Sequence, residues 1–214
     1  RARGGRSSRT FITEIAPNQT QGAWDQMLAT VKAGDIVLIQ FGHNDNGGIN
    51  EEPPGSTLPL RARGTIPGLG EESQEIVNVV TKKHEVVHTF GWYMRKYISD
   101  TLAKGATPIV LSPTVRNLWT DGKIERGPGL YAHWSREVAH AAKVSFIDIS
   151  DIMASHFQGL GEEKTKAIYQ QDHTHFNAVG ADLHAAAVVA GLKGLHPSPV
   201  AKLLSPKGAT VESK

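Results

Sequence analysis

The 214 residues carry 23 Lys and Arg against 21 Asp and Glu, a formal charge of +2, with 39% hydrophobic and 21% charged residues. That balance is ordinary for one soluble domain with a sizeable core; it excludes disorder by composition and gives no overall electrostatic footprint for nucleic acid. The chain has no cysteine, which removes disulfides and thiolate metal sites without identifying a compartment, and no apolar stretch reaches the length of a membrane span.

In chain order, the first feature is "RARGGRSSR" at residues 1–9, which on composition reads as a basic arm. The start shows neither an initiator Met nor a signal-peptide apolar region, so the chain is expected to be an internal fragment or a processed product. "DIVLIQF" at residues 35–41, "TPIVLS" at 107–112 and "VSFIDIS" at 144–150 are short, nearly continuous apolar runs, the pattern of strands buried on both faces. Phe90, Tyr93, Met94, Tyr97, Ile98 and Leu102 share one face of a helix that stops at Gly105. Leu130, Trp134, Val138 and Ala142 mark a second helix. A third runs from Asn177 to Gly194, with Val179, Leu183, Ala187 and Ala190 turned inward. Strands alternating with helices predict an α/β fold with a parallel sheet covered on both faces.

One connection is long. Residues 46–89 form a 44-residue insertion, in which "EIVNVV" and "HEVVHTF" flank "TKK" as a predicted hairpin. An insertion after a strand's C-terminal end lies where open α/β sheets bind ligands, although a surface loop without function reads the same way. The domain is expected to span residues 1–195, followed by a mobile Pro-, Ser- and Lys-rich tail at 196–214.

Two polar clusters stand out. "GHND" at residues 42–45 follows the first apolar run, so its polar groups sit at the mouth of the crevice. There the Asn44 amide can stabilise an oxyanion, or Asn44 and Asp45 can form an Asx-turn. "DHTH" at residues 172–175 spaces Asp172 and His175 so that a tight turn lets the carboxylate accept from Nδ1–H and frees Nε2 as a general base. Two other readings of that stretch stay open at this point: metal ligation by His173, His175 and Asp172, and capping of the following helix.

"GGRSSRTF", "FGHND" and "DHTHFNAVG" together resemble the second, third and fifth sequence blocks of the SGNH (Gly-Asp-Ser-Leu type) hydrolases. "GLGEESQEIVN", "HTFGWYMRKYI", "GATPIVLSPTVRNLW" and "YAHWSREVA" resemble the bacterial rhamnogalacturonan acetylesterases within them, enzymes that remove acetyl groups from pectin. The resemblance implies a flavodoxin-like three-layer α/β/α fold. It also implies Asp172 and His175 as acid and base, Gly5 N–H and Asn44 as oxyanion donors, and no cofactor or metal. His43 and Asp45 match neighbours that support the loop.

The family's nucleophilic serine, in a Gly-Asp-Ser block on the first strand, has no match here; "AGDIV" at residues 33–37 has Gly-Asp without the serine. Ser7 and Ser8 read as loop hydroxyls bonded to backbone. The chain is therefore expected to be N-terminally truncated, lacking the first two strands and inactive alone, with "DIVLIQF" left as an apolar edge. The implied substrate is an acetylated pectic polysaccharide. Arg116, Asn117 and Trp119 are its candidate contacts, through carboxylate pairing and sugar stacking, although such residues also serve as solvated charge and packing. Neither nucleic acid nor membrane is an expected partner, and similarity to pectin-degrading enzymes implies export. Two other functions fit the same residues: a non-catalytic carbohydrate-binding relative, and a metal-dependent hydrolase.

Overall fold

A computed structural model describes residues 3–15, 19–51, 62–127 and 129–214; residues 52–61 of the predicted insertion, and Arg1 and Ala2 of the predicted basic arm, lie outside them. The chain begins with a turn in which Ser7 N–H donates to Thr10 Oγ1 (2.9 Å) and Thr10 N–H to Ser7 Oγ (3.1 Å). This reciprocal pair starts the one-turn helix α1, Thr10–Thr13, which is followed by α2, Ala23–Leu28, and the strand β1, Ile36–Ile39. The insertion supplies the antiparallel hairpin of β2, Ser73–Val77, and β3, His84–His88, with Val77 opposite His84. Lys82 takes a positive φ of 59° where the hairpin turns.

Helix α3, Phe90–Ala103, starts at Thr89, whose hydroxyl accepts from Trp92 N–H. Strand β4, Thr107–Leu111, follows, then the small ribbon of β5, Trp119–Thr120, and β6, Lys123–Ile124. Next come α4, Tyr131–Ala141, and β7, Ser145–Ile147. The apolar run predicted as a strand through residue 150 stops at Ile147 because Asp148 caps a helix, accepting from Asp151 N–H at 3.1 Å. That helix is α5, Ile149–Leu160; α6, Glu162–Lys166, α7, Ala178–Gly194, and α8, Pro206–Ala209, complete the order. Among the described residues no helix is long and apolar enough to cross a membrane.

The main sheet is parallel, in the order β1-β4-β7. On one face Val37, Ile39 and Val110 pack with Phe11, Trp24, Phe90 and Tyr97; on the other Ile109, Leu111 and Ile147 pack with Met153, Phe157 and Ala187. These are the three layers expected of the fold class. Helix faces follow their periodicity except near the ends, where Leu102, Leu130 and Val179, all predicted inward, are 49%, 59% and 61% exposed. Strand β1 also departs from the expectation of burial on both faces: Leu38 is 44% exposed, and among the described residues β1 pairs with β4 alone. The C-terminal segment expected to be mobile folds back on α7, where Lys193 Nζ donates to the carbonyls of Ala209 and Val211 and Lys214 N–H to Ala190 O.

At the start of α7, Gly180 faces Ile168 and Phe176; a Cβ there would lie 2.6 Å and 2.7 Å from their side-chain atoms. The contact seats the loop before α7 against the core. Gly180→Val is expected to lower stability by about 1 to 3 kcal/mol through overpacking, read as a lower urea midpoint at unchanged m-value.

Candidate active site

The loops that follow β1 and β4, and the loop that precedes α7, meet at the C-terminal rim of the parallel sheet. In the loop before α7, Asp172 Oδ1 accepts the backbone N–H groups of Thr174 and His175, each at 2.7 Å, while Oδ2 lies 2.6 Å from His175 Nδ1. The carboxylate therefore organises the turn and fixes the ring at once. The hydrogen bond from His175, joined by the two backbone N–H donors, holds the Asp172 carboxyl far below the usual carboxylate range. Because a carboxylate only accepts, Nδ1–H is the donor of this pair and Nε2 is left outside it; the ring side chain is 71% exposed, and no described hydroxyl bonds to it.

The loop is anchored at several points. Asn117 N–H donates to His173 O (2.8 Å), Gln170 N–H to His175 O (2.9 Å), and Tyr169 bridges to Phe176. The helix cap weighed for residues 172–175 falls instead to Asn177, whose side chain accepts from Val179 and Gly180 N–H. Among the described residues no three acidic, His or Cys side chains are grouped to hold a metal ion.

Across the rim, Asn44 Nδ2 donates to Arg6 O at 3.2 Å, so the amide is turned to the first loop of the chain rather than into an Asx-turn. Gly5 sits in that loop with φ +72°, a conformation that glycine adopts without strain, and its N–H donates to no described residue. Asn44 and Gly5 are thus in neighbouring segments stitched by one hydrogen bond. Asp45 completes the stitching: Oδ1 accepts from Ser8 N–H (3.0 Å) and Ser8 Oγ–H (2.5 Å), Tyr97 Oη–H donates to Ser8 O (2.6 Å), and Thr65 N–H donates to Asp45 O (3.0 Å). Ser7 bonds backbone as read from sequence; Ser8 binds the Asp45 carboxylate. Asp45 is 1% exposed, and its Oδ2 has no partner among the described residues. Burial pushes its carboxyl up to about 6 despite the Ser8 donors.

The arginines read as a basic arm behave otherwise. Arg6 pairs with Glu14 at 2.7 Å, and Arg9 is fully buried against Glu85. His43 Nε2 donates to Thr114 O (2.9 Å), and burial lowers its pKa, with Arg116, His175 and His184 adding smaller effects in the same direction. Arg116 Nη2 donates to His43 O at 3.3 Å, and Asn117 Oδ1 accepts from Trp119 Nε1–H at 2.8 Å, so these residues first brace the rim on which His175 sits. Sequence reading missed His184 on α7, whose Nε2 is buried without a described partner and whose pKa burial lowers. It also missed the Ser8–Asp45 and Arg9–Glu85 contacts, for which only the unusual mixture of Ser, Arg and Asp around the two blocks was a signal. A cleft of about 670 Å³ runs beside β1 from Val31 and Leu38 to His43 and Asn44.

Comparison with known proteins gives a consistent picture. The model of the GDSL-like lipase/acylhydrolase family matches residues 1–183. The chain is 33% identical over 185 residues to the rhamnogalacturonan acetylesterase of Emericella nidulans, covering 86% of this chain and 68% of the relative. It is 26% identical over 200 residues to the probable rhamnogalacturonan acetylesterase YesY of Bacillus subtilis, covering 91% and 76%. The crystal structure of protein YxiM from Bacillus subtilis superposes with a TM-score of 0.61 at 25% identity, over 89% of this chain and 43% of that one.

Asp45 links the site to pH with a definite sign. Its folded-state pKa lies above the unfolded value, so its contribution favours the fold fully below pH 3.8 and is lost as pH rises through about 6. The loss is on the order of 3 kcal/mol. Asp45→Asn is expected to flatten the pH 4 to 6 segment of the stability curve, measured by urea unfolding at a series of pH values.

Proposed function

We propose that this chain, which belongs to the GDSL-like lipase/acylhydrolase family, carries the acid, the base and two oxyanion donors of a serine esterase that removes acetyl groups from pectic polysaccharide. The observation that carries the reading is the Asp172–His175 pair, with Nδ1 bonded to a carboxylate at 2.6 Å and Nε2 open to solvent. That is the arrangement of a general base whose tautomer is fixed. The substrate class rests on the relatives named as rhamnogalacturonan acetylesterases.

In this reading the attacking serine comes from a segment preceding Arg1 that seats in the cleft beside β1. Its hydroxyl attacks the acetyl carbonyl carbon while His175 Nε2 takes the proton; Asp172 stabilises the imidazolium. Gly5 N–H and the second N–H of the Asn44 amide, whose other N–H stays on Arg6 O, receive the negative oxygen. The intermediate collapses with cleavage of the ester C–O bond, and the sugar oxygen leaves with the proton from His175. Water, deprotonated by the same nitrogen, then releases acetate and restores the serine. No step calls for a metal or organic cofactor. Arg116, Asn117 and Trp119 form the rim beside His175, where a galacturonate carboxylate and a sugar face would meet a guanidinium and an indole. Action on an extracellular polymer implies export.

In a protein extended upstream of Arg1, His175→Ala is expected to abolish acetate release from acetylated pectin. Asn44→Ala is expected to lower kcat roughly 100-fold with KM nearly unchanged, the pattern of an interaction made only in the transition state. Acetate release that survives the loss of His175 would refute the assignment, and binding of the polysaccharide without any hydrolysis would favour a carbohydrate-binding relative.

A further inference from the structure

Three described parts of the 46–89 insertion meet the first loop of the chain at Arg9. Arg9, at the start of α1, has a side chain with no solvent exposure, and that of Glu85 on β3 is 13% exposed. Their contact is a two-pronged fork: Nε donates to Oε1 and Nη2 to Oε2, both at 2.8 Å. The third nitrogen, Nη1, donates to Ile49 O and Gly64 O, each at 2.8 Å. Thus three separate parts of the insertion close around a single guanidinium. Glu85 is itself held by Asn78 Nδ2, which donates to Oε2 at 2.6 Å from the turn end of the same hairpin.

A buried guanidinium tolerates little displacement, because every donor that leaves its acceptor is left desolvated. Arg9 is followed by α1 and preceded by Ser8, which Asp45 and Tyr97 fix, and by Gly5 and Arg6. We infer that the insertion is a buttress for the oxyanion loop, with Glu85 as a positioning residue that acts through Arg9 to hold Gly5 and the Arg6 carbonyl in register with Asn44. Glu85 touches neither substrate nor reacting atoms in this assignment. Burial works against charge on its carboxyl, but the bonds from Arg9, Asn78 and Thr13 together outweigh it and draw the carboxyl below its ordinary value, as the fork requires. The fork adds a polar, directional anchor to the two apolar ones, Ile76 and Val87, which are the buried hydrophobic residues of strands otherwise largely exposed.

The inference rests on the esterase reading, and the test separates the two. In the protein extended upstream of Arg1, Glu85→Ala is expected to lower kcat on a small acetyl ester between about 10- and 100-fold, as remote misplacement of a reacting group does, with KM unchanged. Glu85→Gln keeps one acceptor and is expected to fall between wild type and Glu85→Ala. His84→Ala, exposed on the same strand, should leave both constants unchanged. Rates are normalised to the folded fraction from circular dichroism, so a purely structural role would show a lower Tm at wild-type kcat and would overturn the inference. A higher KM on acetylated polysaccharide with kcat unchanged would also overturn it, since the hairpin would then be a substrate contact. If Glu85→Ala does not fold, Arg9→Lys carries the same readouts: it keeps the charge but loses the fork, and an unchanged kcat defeats the proposal. Activity surviving His175→Ala would instead remove the esterase reading; a dead His175→Ala beside a fully active, folded Glu85→Ala removes the buttress alone.

Discussion

A loop of hydroxyl and guanidinium groups with no solvent exposure is the constraint on which this structure depends. Ser7, Ser8 and Arg9 are all at 0%, although a loop without exposure has to satisfy each polar group internally. The partners come from distant parts of the chain: the Asp45 carboxylate after β1, the Tyr97 hydroxyl on α3, the Glu85 carboxylate on β3, and two carbonyls of the insertion. Desolvating Arg9 and Asp45 is costly, and the cost is offset only when these acceptors and donors are in place together. The network is therefore better understood as fixing geometry than as adding net stability. It makes the position of one short loop a function of the sheet, a helix and the insertion at once.

The facing half of the site is built on the opposite principle. Asp172 and His175 are largely exposed, and their order comes from neighbours in sequence: a carboxylate bonded to two N–H groups of its own turn and to a ring three residues on. Such a turn needs little burial to hold its shape, and the charged carboxylate gains from donors that do not desolvate it. What the tertiary structure adds is location. The Asn117 to His173 hydrogen bond and the Gly180 contact with Phe176 tie the turn to the rim and to the second core. In the proposed reading an exposed base on a locally ordered turn works with a pair of donors on a globally ordered loop, and the chemistry needs both to share one rim.

That division also explains what sequence reading can recover. The Asp172–His175 pair is legible because contact and spacing are the same thing at three residues' separation. The strands at residues 36–39 and 107–111, and the buried stripe Phe90, Tyr93, Met94, Tyr97 and Ile98, are legible because burial leaves a period. Periodicity fails near helix ends, at Leu102 on α3 and Val179 on α7, both exposed; it reports a face but not where the neighbour ends. Strand β7 ends early because Asp148 serves as a cap and also accepts from Ser112 Oγ, a long-range bond that no local pattern announces. Arg9 is the clearest failure. Among four arginines in nine residues it reads as solvated charge, and its partner lies 76 positions away.

Strand β1 connects these points. In a parallel sheet every strand delivers its C-terminal end to the same rim, which is why residues 40–45 and 112–117 arrive together at the site. Beyond Leu38 the edge of β1, which no described strand pairs, borders a cleft that ends at His43 and Asn44. A strand added there parallel to β1 would satisfy the free backbone groups of that edge and cover Leu38. By the same geometry it would carry its own C-terminal residues to Asn44 and Gly5. In the proposed esterase reading that edge is the one placed to receive the strand with the nucleophile, and one requirement of the sheet would coincide with one requirement of the reaction.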